Sequence, residues 1–135
     1  MAQPVECYPI SILPHSSRIF LDFAEHREPL LPFFPLSPYS NGWMLHRSPL
    51  SDAARERLAG ILEAQNREFG AGEEVFANIA AVRRGANAVV TGQQVTLLGG
   101  PLYTLFKAAT TVRKAHDATA AGHPHVPIFW LATRM

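Results

Sequence analysis

The spacing of apolar residues along this chain changes repeatedly, and each change predicts a different element. Up to residue 50 the large side chains are irregular and aromatic, with Phe20, Phe23, Phe33, Phe34, Tyr39 and Trp43 interrupted by Pro29, Pro32, Pro35 and Pro38 at three-residue intervals. Each proline ring removes a backbone donor and pushes the residue before it toward an extended conformation. Residues 1–50 are therefore expected to form an extended, Pro/aromatic-rich arm. Its apolar content is too high for a solvated linker, so the arm is expected to lie over a larger core. Within it, Arg18 to Phe23 (RIFLDF) has the composition of a strand. A PxxP ligand is the rival reading of the prolines, and the flanking aromatics favour packing.

From Ser51 the period becomes helical. Ser51 can cap a helix with Asp52 in its first turn, and Ala54, Leu58, Ile61, Leu62 and Phe69 fall on one stripe. Arg55, Glu56, Glu63 and Arg67 are then expected to face water. A second helix from about Glu73 to Arg84 presents Val75, Phe76, Ile79 and Val82, with Gly85 placed to stop it in the left-handed conformation. Arg83 and Arg84 could bind phosphate, but cations in a last helical turn ordinarily complement the helix dipole. Residues 51–85 thus read as a helical pair.

The period then shortens again. Ala88 to Thr91 is a β-branched, uncharged run, as a strand covered on both faces requires. Pro101 fits the first position of a further helix with an apolar face of Leu102, Leu105, Phe106, Ala109 and Val112 and a stop at Gly122. Val126 to Ala132 (VPIFWLA) is a second apolar strand. Strand, helix and strand in this order over residues 86–135 imply a parallel pair with a right-handed crossover. That topology puts the Gly92 to Gly100 loop at the carboxyl end of the first strand, where open α/β sheets bind ligands. The fold class is α/β, with a parallel β-α-β unit preceded by the helical pair and the arm.

Composition narrows the function without choosing it. The chain has 135 residues, enough for one domain, and 47% hydrophobic content can form a core. Twelve basic residues against 11 acidic ones give a net charge of +1, so there is no general electrostatic case for nucleic acid or an anionic membrane. A lone Cys7 excludes an internal disulfide framework and a thiolate metal cluster. No apolar run approaches the ~18 residues of a membrane span, and the first residues lack a leader pattern. A soluble, cytoplasmic protein is the expectation.

Candidate chemistry concentrates at the end of the first strand. Gly92 would let the chain leave the strand sharply, and Gly99 with Gly100 would allow a tight entry to the helix. Gln93 and Gln94 offer donors and acceptors without charge, which suits positioning a polar substrate. Tyr103 and Lys107 stand four residues apart on one helical face, where a hydroxyl and a cation could add to backbone donors on a phosphate or carboxylate. A Gln pair that only caps backbone groups and a Lys that only solvates a helix are the plainer alternatives. A P-loop is ruled out because Gly100 and Pro101 follow Gly99, and GxGxxG fails because Gln93 and Gln94 follow Gly92. His123 and His125 flank Pro124 with no third ligand nearby, so no metal site is expected. Cys7 has no activating neighbour.

The string TGQQVTLLGGPLYTLFKA, preceded by EAQNREFGAGEEVFANI and followed by VPIFWLAT, resembles the N-terminal part of the BshC family of cysteine-adding enzymes in bacillithiol biosynthesis. The likeness extends to RIFLDF and FFPLSPYS, and so covers most of the chain. It implies a partial Rossmann-like core similar to nucleotidyltransferases. It also implies a ligase that joins cysteine to the amino group of glucosaminyl malate. A nucleotide is admitted as cofactor by the resemblance, and a homodimer only through a coiled coil that this chain lacks. The matching positions are Thr91, Gly92, Gln93, Gln94, Gly100, Pro101, Tyr103, Thr104 and Lys107, of which Thr91, Gly92, Gln93, Gln94, Gly100, Tyr103 and Lys107 are taken as substrate-binding.

The sequence departs from the family pattern at two places. Thr96 stands where the family usually has glycine, and Arg134 and Met135 stand where an acidic, histidine-containing segment usually follows the second strand. The resemblance therefore implies a truncated or partial ligase, inactive alone. A non-catalytic remnant or interaction module is the alternative, and an unrelated small nucleotide-binding module is the third.

Overall fold

A computed structural model describes residues 6–94 and 100–132. The chain forms two compact units, Met1–His46 and Arg47–Met135.

In the first unit, helix α1 covers Arg18–Ala24, and short 3-10 turns cover Ile10–Ile12, Glu28–Leu30 and Gly42–Leu45. The strand expected over RIFLDF is thus a helix. The reason is local: Ser17 caps it by accepting a hydrogen bond from the Phe20 N–H, and Asp22 lies between Arg18 and Arg27 at 3.7 and 3.5 Å. A helix fills its own backbone hydrogen bonds, whereas a strand needs a neighbour, and none of the described residues supplies one. Phe23 and Phe34 meet edge to face with centroids 5.0 Å apart. Pro29 sits in the first turn of Glu28–Leu30, where a missing N–H costs nothing, so this stretch is a series of helical turns rather than a uniformly extended arm.

The second unit runs α2 (Asp52–Glu68), α3 (Glu73–Arg83), β1 (Asn87–Gln94), α4 (Tyr103–Ala120) and β2 (His125–Ala132). Ser51 caps α2 as its sequence predicts, accepting from the Ala54 N–H at 3.3 Å. Gly85 and Gly122 follow α3 and α4 with φ of 107° and 87°, left-handed values that favour glycine. One expectation fails on α2: Arg55 is only 8% exposed. Its guanidinium donates to the carbonyls of Val82 and Ala86 at 3.4 and 3.1 Å, in the turn that leads from α3 into the next strand. Ile61 and Phe69, placed on the buried stripe by periodicity, are exposed instead. Arg83 bridges Glu56 and Glu63 at 2.9 and 2.8 Å, joining α3 to α2. This hydrogen bond from Arg83 holds the Glu63 carboxyl below its ordinary value, and Arg83 is raised in return.

Strands β1 and β2 are parallel and adjacent, in register from Asn87 opposite His125 to Gln94 opposite Ala132. β1 runs further than expected, because Gly92, Gln93 and Gln94 belong to the strand rather than to the loop after it. Gly92 has no positive φ; its role is spatial. A Cβ there would stand 2.7 Å from the Trp130 carbonyl oxygen and 3.0 Å from the Trp130 Cβ. Residues of a strand alternate between faces. Val126 and Ile128 pack with Val82, Ala86, Leu58 and Ala81 toward α2 and α3, while α4 lies over the other face. The first of these faces is not fully covered, since Ala88 and Val90 on β1 are exposed.

α4 reaches the sheet with a different face from the one predicted. Thr104, Thr111, Ala115 and Ala118 are its buried residues, whereas Leu102, Leu105, Phe106 and Val112 are exposed, Leu105 by 66%. Small side chains allow the helix axis to approach the sheet, and the larger ones are left outside. Thr119 ties the far end of α4 to β2, since its Oγ1 donates to the His125 carbonyl and accepts from the His125 N–H, both at 3.0 Å. Pro101 is not the first helical residue but stands two positions before Tyr103, where its carbonyl accepts from the Thr104 N–H at 2.8 Å. No helix among the described residues is long and apolar enough to cross a membrane.

Candidate functional site

Extending β1 by three residues changes what its carboxyl end can present. Gln93 lies on the face toward α4, and the first turns of α4 send Tyr103 and Lys107 to meet it. The Lys107 ammonium donates to the Gly92 carbonyl at 2.6 Å and to Gln93 Oε1 at 3.1 Å. Tyr103 donates its phenolic hydrogen to the same Oε1 at 3.4 Å. The ammonium also stands 4.7 Å from the centre of the Tyr103 ring, a cation-π contact. Four residues apart on one helix face, Tyr103 and Lys107 are neighbours before any tertiary contact forms. Tyr103 is exposed, and Gln93 and Lys107 are half-buried, so the cluster is open to solvent.

The charge at this end of the strand is unbalanced. Among the described residues no carboxylate pairs with Lys107, whose contacts are a carbonyl, an amide oxygen and an aromatic ring. The Gln93 amide has its oxygen engaged twice and its nitrogen unengaged among the same residues. Below the cluster, Thr104 is buried, and its hydroxyl has no hydrogen-bond partner among the described residues.

Gly92, Gln93, Tyr103 and Lys107 are therefore brought together, Gly92 through its carbonyl oxygen. Thr91 lies on the same strand face as Gln93, half-buried and opposite Phe129. Gln94 is exposed and, as the next residue along β1, belongs to the opposite face. The two glutamines do not converge. Gly100 takes a φ of 86° just before the helix. Val95 to Gly99, including Thr96, lie outside the described residues, as do Thr133 to Met135. Sequence reasoning matched Thr104 to the family but gave it no place in the packing. Its signal was the seven-residue spacing to Thr111, two small polar residues stacked two turns apart on one face.

The N–H groups of Thr104 and Leu105 already donate to the carbonyls of Pro101 and Leu102 at 2.8 and 3.0 Å, and Lys107 is committed to Gly92 and Gln93. His125 Nδ1 lies 2.8 Å from the His123 carbonyl, which accounts for that pair as part of the turn into β2.

Parallel strands joined by a helix, with polar side chains gathered at the carboxyl end of the first, define a Rossmann-like α/β domain. Residues 5–134 match the family model described as the Bacillithiol biosynthesis BshC N-terminal Rossmann-like domain. The chain belongs to this family. It is similar to proteins named "Putative cysteine ligase BshC" in several bacteria. With that of Koribacter versatilis it shares 42% identity over 130 residues, 95% of this chain and 24% of the relative. With that of Salinibacter ruber the identity is 44% over 81 residues, 58% of this chain and 15% of the relative. With that of Anoxybacillus flavithermus it is 35% over 123 residues, 90% of this chain and 23% of the relative. The chain thus spans less than a quarter of the length of these relatives.

Proposed function

We propose that this chain is the substrate-binding N-terminal part of a ligase that joins cysteine to the amino group of glucosaminyl malate. The observation that supports this reading most directly is the meeting of Gln93, Tyr103 and Lys107 at the carboxyl end of β1, in a chain whose relatives are named cysteine ligases. Amide formation requires the carboxyl carbon to lose an oxygen and the attacking nitrogen to lose a proton, so the carboxyl group must be activated and both partners held in line. Neutral amide and phenol groups suit the holding, and the Lys107 charge favours a substrate carboxylate. Thr91, Gly92, Gln93, Gly100, Tyr103 and Lys107 form the proposed binding set, with Gln93, Tyr103 and Lys107 at its centre, while Gln94, on the opposite face of β1, stands outside it. The partners of this reading are small molecules, not nucleic acid, in the cytoplasm.

The chain alone is expected to form no amide, because it spans 24% of its Koribacter relative. The test is Gln93→Ala in a full-length ligase carrying this domain. A misplaced substrate group lowers kcat/KM by about 100-fold, while folding stability changes little. A fall no larger than the loss of folded protein would refute the assignment, and so would cysteine transfer by the purified 135-residue chain. A second reading, a non-catalytic interaction module, rests on the exposed Leu102 just before α4 and Leu105, Phe106 and Val112 within it. It predicts that Gln93→Ala leaves catalysis untouched.

A further inference from the structure

An amide side chain can offer a ligand either its oxygen or its nitrogen, and the surroundings of Gln93 decide between them. An ammonium is a donor only. The Gln93 atom 3.1 Å from Lys107 Nζ must therefore be the oxygen, whichever way the amide would otherwise turn. The phenol of Tyr103, 3.4 Å from the same atom, adds a second donor to it. Lys107 is itself held in place by the Gly92 carbonyl at 2.6 Å and by the Tyr103 ring. Among the described residues, the amide is thus fixed with its acceptor end consumed and its two N–H donors left over.

We propose that Lys107 is a positioning residue that acts through Gln93, locking the amide so that the site reads a hydrogen-bond acceptor, specifically a carboxylate, and rejects a donor in the same place. The inference rests on the substrate-binding reading above and adds the chemistry of the group that is read. The Lys107 charge, which no carboxylate balances among the described residues, favours the same ligand class. Cysteine and the malyl group both carry carboxylates, so the source of the group is an arm of the test.

The experiment is a titration of the 15N-labelled chain, with the Gln93 side-chain amide identified by its loss in Gln93→Glu. The probes are L-cysteine, L-malate and cysteamine, the last being cysteine without its carboxylate. Cysteine or malate should shift the Gln93 amide pair, and which of them does so names the source; cysteamine should not shift it. Gln93→Glu keeps an oxygen for Lys107 but loses the donors. It should melt no lower than the parent yet bind the carboxylate at least about tenfold more weakly. Gln93→Met, which adds no negative charge, should show the same loss of affinity. Lys107→Met should weaken binding about tenfold and diminish the response of the Gln93 amide, with Lys107→Arg restoring part of both.

Equal shifts from cysteine and cysteamine would overturn the inference. Unchanged affinity in both Gln93 variants, or an unchanged amide response in Lys107→Met, would do so as well. In those cases, ligand shifts at the backbone of Gly100 and Tyr103 would still uphold the substrate-binding reading. If no carboxylate shifts any residue, both fall. Should Lys107→Met fail to fold, the two Gln93 variants decide the matter.

Discussion

Adding a single methyl group at Gly92 tests the register on which the site depends. The strand places this residue opposite Trp130, and an alanine Cβ would lie 2.7 Å from the Trp130 carbonyl oxygen and 3.0 Å from its Cβ. The first contact is with backbone, which cannot rotate away, so the two strands must separate locally. Overpacking of this kind costs about 1–3 kcal/mol. The backbone entropy that alanine saves relative to glycine offsets about 0.5–1 kcal/mol of it. A net loss of about 1 kcal/mol corresponds to a fall in Tm of about 4–8 °C for a unit of this size. The control is Gly60→Ala, in the middle of α2 with no atom within 4 Å of its would-be Cβ. There the same methyl should stabilise by about 0.5–1 kcal/mol through helix propensity alone. Urea unfolding followed by circular dichroism measures both changes with one assay. Because the obstruction is the Trp130 carbonyl, Trp130→Ala should not rescue Gly92→Ala. Equal stability of Gly92→Ala and the parent, or full rescue by Trp130→Ala, would refute the strand register opposite Trp130.

Other outcomes follow from packing and charge. Arg55→Met should cost about 1.5–3 kcal/mol in urea unfolding, because it removes a charged donor from the Val82 and Ala86 carbonyls. Stability should also depend on Glu63, whose carboxyl is held by Arg83 below the ordinary value of 4.5. A lowered folded value means that the unfolded chain binds the proton first, so this contribution is complete above the ordinary value and fades as pH falls through the folded one. The stability difference between the parent and Arg83→Gln should therefore shrink in acid; a difference that grows there would contradict the assignment. The purified chain, with Leu102, Leu105, Phe106 and Trp130 exposed, should bind an apolar fluorescent dye and melt below ~65 °C, and a sharp cooperative melt above that range would count against this.

Where the chain's own local chemistry decides the structure, the sequence was readable. Ser51, Gly85 and Gly122 mark their helix ends because a hydroxyl acceptor and a left-handed turn are satisfied within a few residues, without help from elsewhere. The parallel pair was readable for a related reason, since two uncharged apolar runs flanking a helix have few ways to pair. RIFLDF misled because its composition suits a strand, while its outcome depended on Ser17 as a cap and on the lack of a neighbouring strand. Arg55 misled in the opposite sense: a charged residue on a helix normally faces water, and nothing in the sequence near it announces two carbonyls 27 and 31 positions away.

α4 shows the limit most clearly, because hydrophobicity alone chose the wrong face. Close approach to a sheet selects small side chains, so Thr104, Thr111, Ala115 and Ala118 go inward, and the larger Leu105 and Phe106 stay out. That choice sets the rotation of the helix, and the rotation brings Lys107 and Tyr103 over Gln93. The strand itself separates Gln93 from Gln94, which look equivalent in sequence and lie on opposite faces once β1 continues through them. The residue types of the site were thus visible in the chain, whereas their division into groups that can meet one ligand was settled by the strand's length and the helix's small-residue face.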